Sequence, residues 1–166
     1  QFNNSEILGS SIYIPYFKTL GADKDYTFKP TVFEDNKYIL QNEYRKKYKN
    51  SSLITDFSLT RGYKSSTSKE KNSISHFFLN YKKNLELSNF TNSKLETKIE
   101  KVTNDTYLKV FQNNLFETPV LPDDKDLMES KLHVELENDS FTFNSGMRLY
   151  ENLSGKNSDR YQYVFA

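Results

Sequence analysis

The sequence predicts an all-β fold, an antiparallel meander of long strands, and two features carry this prediction. The first is alternation with period two: within residues 53–60, Phe57 and Leu59 alternate with Asp56 and Ser58. Such alternation places the two sets of side chains on opposite faces of a strand. The second is a series of turn clusters between the alternating runs. One face of the predicted sheet therefore contacts an apolar medium and the other a polar one.

The same alternation recurs along most of the chain. Its apolar members are Phe77, Leu79 and Tyr81, then Leu85 and Leu87, Leu95 and Ile99, Leu132, Val134 and Leu136, Phe141, Phe143, Met147 and Leu149, and Tyr161, Tyr163 and Phe165. Clusters of Ser, Asn, Asp and Lys separate the runs, as expected of hairpin loops. These clusters cover 34–37, 49–52, 64–72, 89–93, 138–140 and 154–159. Consecutive strands joined by short loops form an antiparallel meander.

Three of the runs are unusually long for strands of a soluble protein. They cover residues 38–49, 52–64 and 73–87. Soluble strands usually have about 5–6 residues, whereas a tilted strand that crosses a bilayer needs about 9–11. Length and period together favour the wall of a large outer-membrane β-barrel over a small sandwich.

One interval, 104–112, breaks the alternation and predicts a single short helix. Its apolar residues at helical spacing are Tyr107, Leu108 and Phe111. Asn104 or Asp105 is the candidate N-cap, because both residue types accept hydrogen bonds from the first helical N–H groups. An acidic, proline-containing connection follows over residues 117–126.

Composition limits the possible classes of function. The 166 residues carry a net charge of +1 and contain no Cys, and their mean hydropathy is −0.79. The charge balance gives no electrostatic reason to expect a nucleic-acid partner. No stretch approaches the roughly 20 consecutive apolar residues of a transmembrane helix. The absence of cysteine excludes disulfides, thiolate metal sites and a cysteine nucleophile from this stretch.

Nothing in the sequence marks a catalytic or metal site, so we expect a protein that is not an enzyme and has no cofactor. His76 and His133 are the only histidines. Each falls on the polar side of a predicted strand without a second ligand at metal spacing, so we expect a solvated or lumen-facing side chain. The carboxylates are scattered over different strands, and no nucleophile elbow or glycine-rich phosphate loop occurs.

The densest basic cluster, residues 45–49, has three interpretations. Basic residues interleaved with tyrosine can contact nucleic acid. A basic rim outside the membrane can instead contact the phosphates of lipopolysaccharide. A solvated hairpin end is the plainest alternative.

Aromatic residues near the ends of the predicted strands are candidates for interfacial girdles at the membrane surface. They are Tyr16, Phe17, Tyr63, Tyr81, Tyr150 and Tyr161. Ordinary cross-strand packing of aromatic side chains explains the same pattern equally well.

Several short motifs resemble those of the LPS-assembly protein LptD family, also called the organic solvent tolerance protein family, in its alphaproteobacterial form. The motifs are SIYIPYF at 11–17, DYTFKP at 25–30, QNEYR at 41–45, NDTYL at 104–108 and SDRYQYVF at 158–165. They occur in family order and span nearly the whole chain. The resemblance implies a very large antiparallel barrel in the outer membrane of a Gram-negative bacterium, preceded by a periplasmic jelly-roll domain.

The resemblance also implies a domain assignment, a function and partners. Because the chain begins at Gln1 and ends at Ala166 directly after an apolar run, we expect residues 1–166 to be part of a transmembrane β-barrel domain, without the jelly roll and the remaining barrel strands. The implied function is the assembly of lipopolysaccharide into the outer leaflet. The implied partners are lipopolysaccharide, the plug lipoprotein LptE, the periplasmic bridge protein LptA and outer-membrane lipid.

Two prolines are candidate residues of a lateral gate in such a barrel. Proline cannot donate a backbone hydrogen bond to a neighbouring strand. By the resemblance, Pro15 falls where a proline of the second strand weakens the seam through which lipopolysaccharide leaves, and Pro30 matches a position in the next strand. The alternative for Pro15 is an ordinary proline at a strand start or turn.

Two further functions remain open. A different outer-membrane barrel, such as a porin or receptor, would share the strand pattern without a gate. A soluble, secreted β-sandwich that binds glycans or another protein would instead have strands of about five to seven residues in two layers, with the apolar faces packed together.

Overall fold

A computed structural model describes residues 2–5, 8–34, 37–61 and 74–165, and these form one antiparallel sheet of eleven strands. The strands are β1 (Phe2–Ser5), β2 (Gly9–Tyr13), β3 (Tyr16–Gly21), β4 (Lys24–Phe33), β5 (Tyr38–Lys47), β6 (Ser51–Arg61), β7 (Ile74–Asn84), β8 (Asn92–Val102), β9 (Leu127–Asn138), β10 (Phe141–Asn152) and β11 (Tyr161–Phe165). From β4 to β11 each strand pairs with the next, which confirms the predicted meander.

The sheet departs from a simple meander only at its first strands. Both β2 and β3 pair with β4, and β1 pairs with β2 on the other side. Residues 9–21 therefore run along β4 as one extended segment that is interrupted at Ile14 and Pro15.

The long strands are confirmed. Strands β4 and β5 have 10 residues, β6, β7 and β8 have 11, and β9 and β10 have 12. The described strands do not form the two facing sheets that the soluble sandwich requires.

Residues 103–126 lie between β8 and β9 and contain the predicted short helix. Helix α1 covers Tyr107–Phe111 and continues into a 3-10 turn at Gln112–Asn114. A second 3-10 turn, Asn157–Asp159, precedes β11. No helix in the ranges given above is long and apolar enough to cross a membrane.

The predicted N-cap of α1 was wrong by one or two positions. Thr106 occupies the N-cap position and makes no side-chain capping bond. Instead the Asn104 Oδ1 accepts bonds from the Thr106 N–H at 3.0 Å and from its hydroxyl at 2.7 Å. Asn104 thus forms a turn that leads into the helix, a common use of this side chain.

The prediction that the third long run continues through Leu85 and Leu87 was also wrong. Strand β7 ends at Asn84, and Glu86 has a φ of 53°, which a strand cannot accommodate. The Ser93 carbonyl and hydroxyl accept bonds from the N–H groups of Leu85 and Leu87. The cluster at 64–72 lies outside the described residues.

The two faces of the sheet differ in burial, and the polar face is the buried one. We call it the covered face, because residues 103–126 pack on it; its buried polar residues are Lys29, Thr31, Gln41, Glu43, Asp56, Ser58, Thr60, His76 and Glu100. The opposite face, the exposed face, carries large accessible side chains that include Ile12, Val32, Phe57, Leu59, Phe77, Leu132, Phe143 and Met147. Cross-strand partners in the register assign each residue to its face.

A small apolar core joins α1 to the covered face. From the helix side it contains Tyr107, Leu108 and Phe111, and from the sheet Phe33, Ile39, Ile74, Phe78 and Val102. A helix of five residues is too short to be stable alone. This core and the polar contacts described next therefore hold α1 in place.

Candidate functional site

The covered face carries a buried polar network at its centre, formed by three neighbouring strands. Gln41 in β5, Ser58 in β6 and His76 in β7 lie directly opposite one another in the register. Asp56 lies two residues before Ser58 on the same face of β6. The strand period of two thus brings these polar side chains together.

Asp56 is the centre of this network. His76 Nε2 lies 2.5 Å from Asp56 Oδ1, and both side chains are completely inaccessible to solvent. The Gln41 amide donates to the two oxygens of the same carboxylate at 3.1 and 3.0 Å. A buried carboxyl group requires such partners, because burial without hydrogen bonds costs several kilocalories per mole.

Tyr107 closes the network from the helix side. Its hydroxyl lies 2.5 Å from Ser58 Oγ and 2.8 Å from His76 Nδ1. Burial raises the pKa of the Tyr107 phenol well above its ordinary value, so the hydroxyl keeps its proton and can donate it to one of these partners.

Gln41 makes a second connection to residues 103–126. The Phe116 N–H donates to Gln41 Oε1 at 2.8 Å, and Gln41 Nε2 donates to the Phe116 carbonyl at 3.3 Å. The Phe116 ring also packs edge-on against Tyr13 at 4.2 Å. The network therefore fastens residues 103–126 to the middle of the sheet at two points, Tyr107 and Phe116.

Ser58, His76 and Asp56 are the residue types of a hydrolytic triad, yet their setting does not suit catalysis. All three are buried, and Tyr107 contacts the serine oxygen from above. A nucleophile must be open to a substrate carbonyl. The arrangement therefore serves to anchor residues 103–126, and within the described ranges no group of His, Cys, Asp or Glu is placed to bind a metal.

The two histidines differ from the sequence prediction in one respect. His76 lies on the predicted polar face but is 2% exposed, so it is not solvated. The reason is that α1, more than 30 positions later in the chain, covers it. The alternative, a lumen-facing side chain, stays a prediction. His133 is partly exposed and its Nε2 lies 2.5 Å from Asn144 Oδ1.

Arg160 forms a second anchor at the edge of the sheet. Its guanidinium donates to both oxygens of Asp105, at 2.7 and 3.1 Å, and to Glu151 Oε1 at 2.7 and 2.9 Å. These two carboxylates raise the pKa of the Arg160 guanidinium above its ordinary value, which keeps it charged. Nearby, Lys109 in α1 pairs with Asp126 at 2.5 Å.

Replacing Arg160 with glutamine is expected to lower the free energy of unfolding by about 1–2 kcal/mol, because the largely buried Glu151 then loses a charged partner. The matched control is Arg148→Gln, whose side chain is 53% exposed and lies 3.6 Å from Glu129. We expect that change to cost less than about 1 kcal/mol. Urea unfolding measures both, and equal losses would contradict the anchoring role.

Two polar cavities lie between residues 103–126 and the covered face. The larger, about 470 Å³, is lined by Ser11, Tyr13, Thr31 and residues 113–117. The smaller, about 260 Å³, contains Lys82, Lys98, Lys131, Glu96 and Glu129 among its lining residues. The covered face is therefore polar where α1 does not touch it.

No family model matches the chain, and no curated protein matches it. The resemblance of its motifs to the LptD family thus remains a prediction.

The two candidate gate prolines lie next to each other in the sheet. Pro15 directly precedes β3, at the interruption between β2 and β3, and Pro30 lies inside β4. The Ile14 N–H donates to the Pro30 carbonyl at 3.4 Å, but proline has no N–H to return the bond. Pairing is therefore reduced at this point of the first strands, and the gate function itself remains a prediction.

The candidate interfacial aromatics are divided between the two faces. The register places Tyr16, Tyr81 and Tyr161 on the exposed face. Phe17 and Tyr150 are on the covered face. Tyr63 lies outside the described residues. A role at a membrane surface remains a prediction for all of them.

Proposed function

We propose that this chain forms part of the wall of an outer-membrane β-barrel that assembles lipopolysaccharide in the outer leaflet. One observation carries the proposal: in β4–β8 the sheet buries much of its polar face and exposes large apolar side chains on the other. In water this distribution is costly, since exposed apolar area costs about 25 cal/mol per Å². In a barrel wall it is favourable, because lipid contacts the outer face and polar groups line the lumen.

The distribution of charge on the exposed face supports the proposal. On β6 this face carries no charged residue from Leu53 to Leu59, and Arg61 lies at the strand end. On β7 it carries none from Phe77 to Tyr81, and Lys83 lies near the end of that strand. An 11-residue strand rises roughly 36 Å and, tilted by about 45°, spans roughly 25 Å, the height of the apolar band of outer-membrane barrels.

The lipopolysaccharide part of the proposal depends on the motif resemblance and on the first strands. The SIYIPYF motif covers the interruption between β2 and β3, where pairing with β4 is reduced. A weakly paired segment suits a seam that opens sideways. On this proposal the partners are lipopolysaccharide, LptE and LptA, and the protein resides in the outer membrane.

A porin or receptor barrel is the second candidate, and residues 103–126 favour it. They lie across the polar face and are fastened there by Tyr107 and Phe116. A segment folded into a lumen narrows or plugs the channel in many barrels. Such a protein would need no reduced pairing at Pro15.

A fractionation and crosslinking experiment distinguishes these candidates. We expect the protein in the outer-membrane fraction and expect a photo-crosslinker at position 15 to capture lipopolysaccharide. A crosslinker at position 142, on the covered face of β10, is the control and should capture none. Membrane residence without capture at position 15 would favour the porin or receptor, and recovery from the soluble periplasm would contradict both.

Lipid contact can be tested with two neighbouring residues of β10. Phe143 lies on the exposed face and Thr142 on the covered face, and both are accessible. Because the chain has no cysteine, Phe143→Cys and Thr142→Cys each accept a single environment-sensitive dye. In vesicles we expect a blue-shifted emission from position 143 and a water-like emission from position 142. The same emission from both positions would contradict a barrel wall.

A further inference from the structure

Lysines cluster at one end of the exposed face. Lys18, Lys24, Lys46 and Lys83 lie near the ends of β3, β4, β5 and β7 that carry the turns at 22–23, 48–50 and 85–91. The register places Lys24 directly opposite Lys46, on the same face as the apolar side chains of β6. We call these four residues the basic rim.

The basic rim lacks ion pairs, unlike the lysines of the covered face. None of its four ammonium groups has a carboxylate within salt-bridge distance among the residues described. On the covered face, in contrast, Lys29 pairs with Glu43 at 3.1 Å and Lys98 with Glu100 at 2.6 Å. Like charges that are directly opposite on neighbouring strands destabilise a sheet, as Lys24 and Lys46 are here. Asp23, in the turn at 22–23, interacts electrostatically with Lys46 but forms no salt bridge with it. The rim therefore keeps a net positive charge that an external anion would offset.

Tyrosines lie one step further along the same face. Tyr26 and Tyr44 are cross-strand partners, and Tyr81 lies opposite Leu53, which in turn lies opposite Lys46. The Lys46 ammonium is 4.1 Å from the centre of the Tyr48 ring. Tyrosines beside long basic side chains are typical of the boundary between hydrocarbon and headgroups.

The other end of the exposed face carries two cations among the residues described. Lys101 pairs there with Glu151 at 2.5 Å, and Tyr161 donates to the same carboxylate. Arg61 is exposed at the end of β6. Among the described residues, the basic rim therefore carries the larger positive charge of the two ends.

We infer that the basic rim binds the phosphate groups of anionic membrane lipids. The inference rests on the proposed function, because it places the rim at the border of a lipid-contacting face. The ligand is a lipid headgroup: the ammonium groups supply the countercharge, and the apolar side chains beside them accept the acyl chains. Each lysine close to an anionic membrane surface strengthens binding by about fivefold.

The test uses the full chain with the dye at position 143 and two kinds of vesicle, phosphatidylcholine alone and phosphatidylcholine mixed with phosphatidylglycerol. Titration with vesicles gives the partition coefficient in each. We expect a preference of roughly tenfold or more for the mixed vesicles at low salt. The triple substitution Lys24→Gln, Lys46→Gln and Lys83→Gln should remove most of this preference.

A matched triple substitution separates the basic rim from net charge. Lys125→Gln, Lys156→Gln and Arg148→Gln change net charge equally at exposed positions away from the rim. We expect this control to keep most of the preference. Equal losses in the two triple variants, or a wild-type chain without preference, would overturn the inference while the dye still reported lipid contact. A dye that stays in water in both vesicle types would contradict the proposed function, and the inference with it.

Discussion

Replacing Asp56 with alanine should lower the free energy of unfolding by about 2–6 kcal/mol, because each buried group left without its hydrogen-bond partner costs about 1–3 kcal/mol and two are left here. The Asp56 side chain has no solvent exposure, and it is held by His76 at 2.5 Å and by Gln41 at 3.0 Å. Its loss leaves an imidazole nitrogen and an amide N–H buried without partners. Urea unfolding of the full chain in vesicles measures the change.

The matched control for this prediction is Thr55→Ala, one residue earlier in β6 and on the opposite face. This substitution shortens a side chain in the same strand but leaves the buried network intact. We therefore expect it to lower the free energy of unfolding by less than about 1 kcal/mol. A second measurement follows the anchor directly. Because Gln41 and His76 also hold Phe116 and Tyr107, trypsin should cleave after Lys109 and Lys125 faster in Asp56→Ala than in Thr55→Ala. Equal cleavage rates would show that the network does not fasten residues 103–126.

The alternation of side chains was enough to predict the strands, because a period of two is a local property of the backbone. Residues 53–60 alternate in the sequence, and the register confirms that Phe57 and Leu59 share one face of β6 while Asp56 and Ser58 share the other. The same reasoning failed at Leu85 and Leu87. They continue the alternation, but the backbone of Glu86 turns into the left-handed region between them. Alternation alone cannot detect where a hairpin closes.

Burial of residues on the polar face could not be predicted from the sequence, for a different reason. Whether His76 is solvated depends on Tyr107, 31 positions later in the chain, and on how the connection after β8 folds back. A short helix at 104–112 could be predicted from the spacing of its apolar residues. Its docking position could not, because it depends on long-range hydrogen bonds such as those between Gln41 and Phe116. The strands could therefore be predicted largely from local alternation, whereas the buried network depends on contacts between residues far apart in the chain.

Replacing Phe57 with arginine should cost about 2–4 kcal/mol in a bilayer, the usual penalty for a basic residue on the lipid face near the membrane midplane. Phe57 lies near the middle of β6 on the exposed face and is 38% exposed. In water the same change places a charge on an accessible surface, where substitutions usually alter stability by about 0.5 kcal/mol or less. Unfolding of the full chain from vesicles separates these two expectations.

Phe141→Arg provides the depth control for this prediction. Phe141 is on the same face and more exposed, at 52%, but it is the first residue of β10 and so lies at the border of the apolar band. A basic residue near the interface costs only about 0–1 kcal/mol, because its side chain reaches the headgroups. In a membrane the substitution should cost more at position 57 than at position 141. On an aqueous surface no such difference is expected. If both variants unfold at the same urea concentration as the parent chain, the exposed apolar face does not contact lipid, and the proposed barrel wall is wrong.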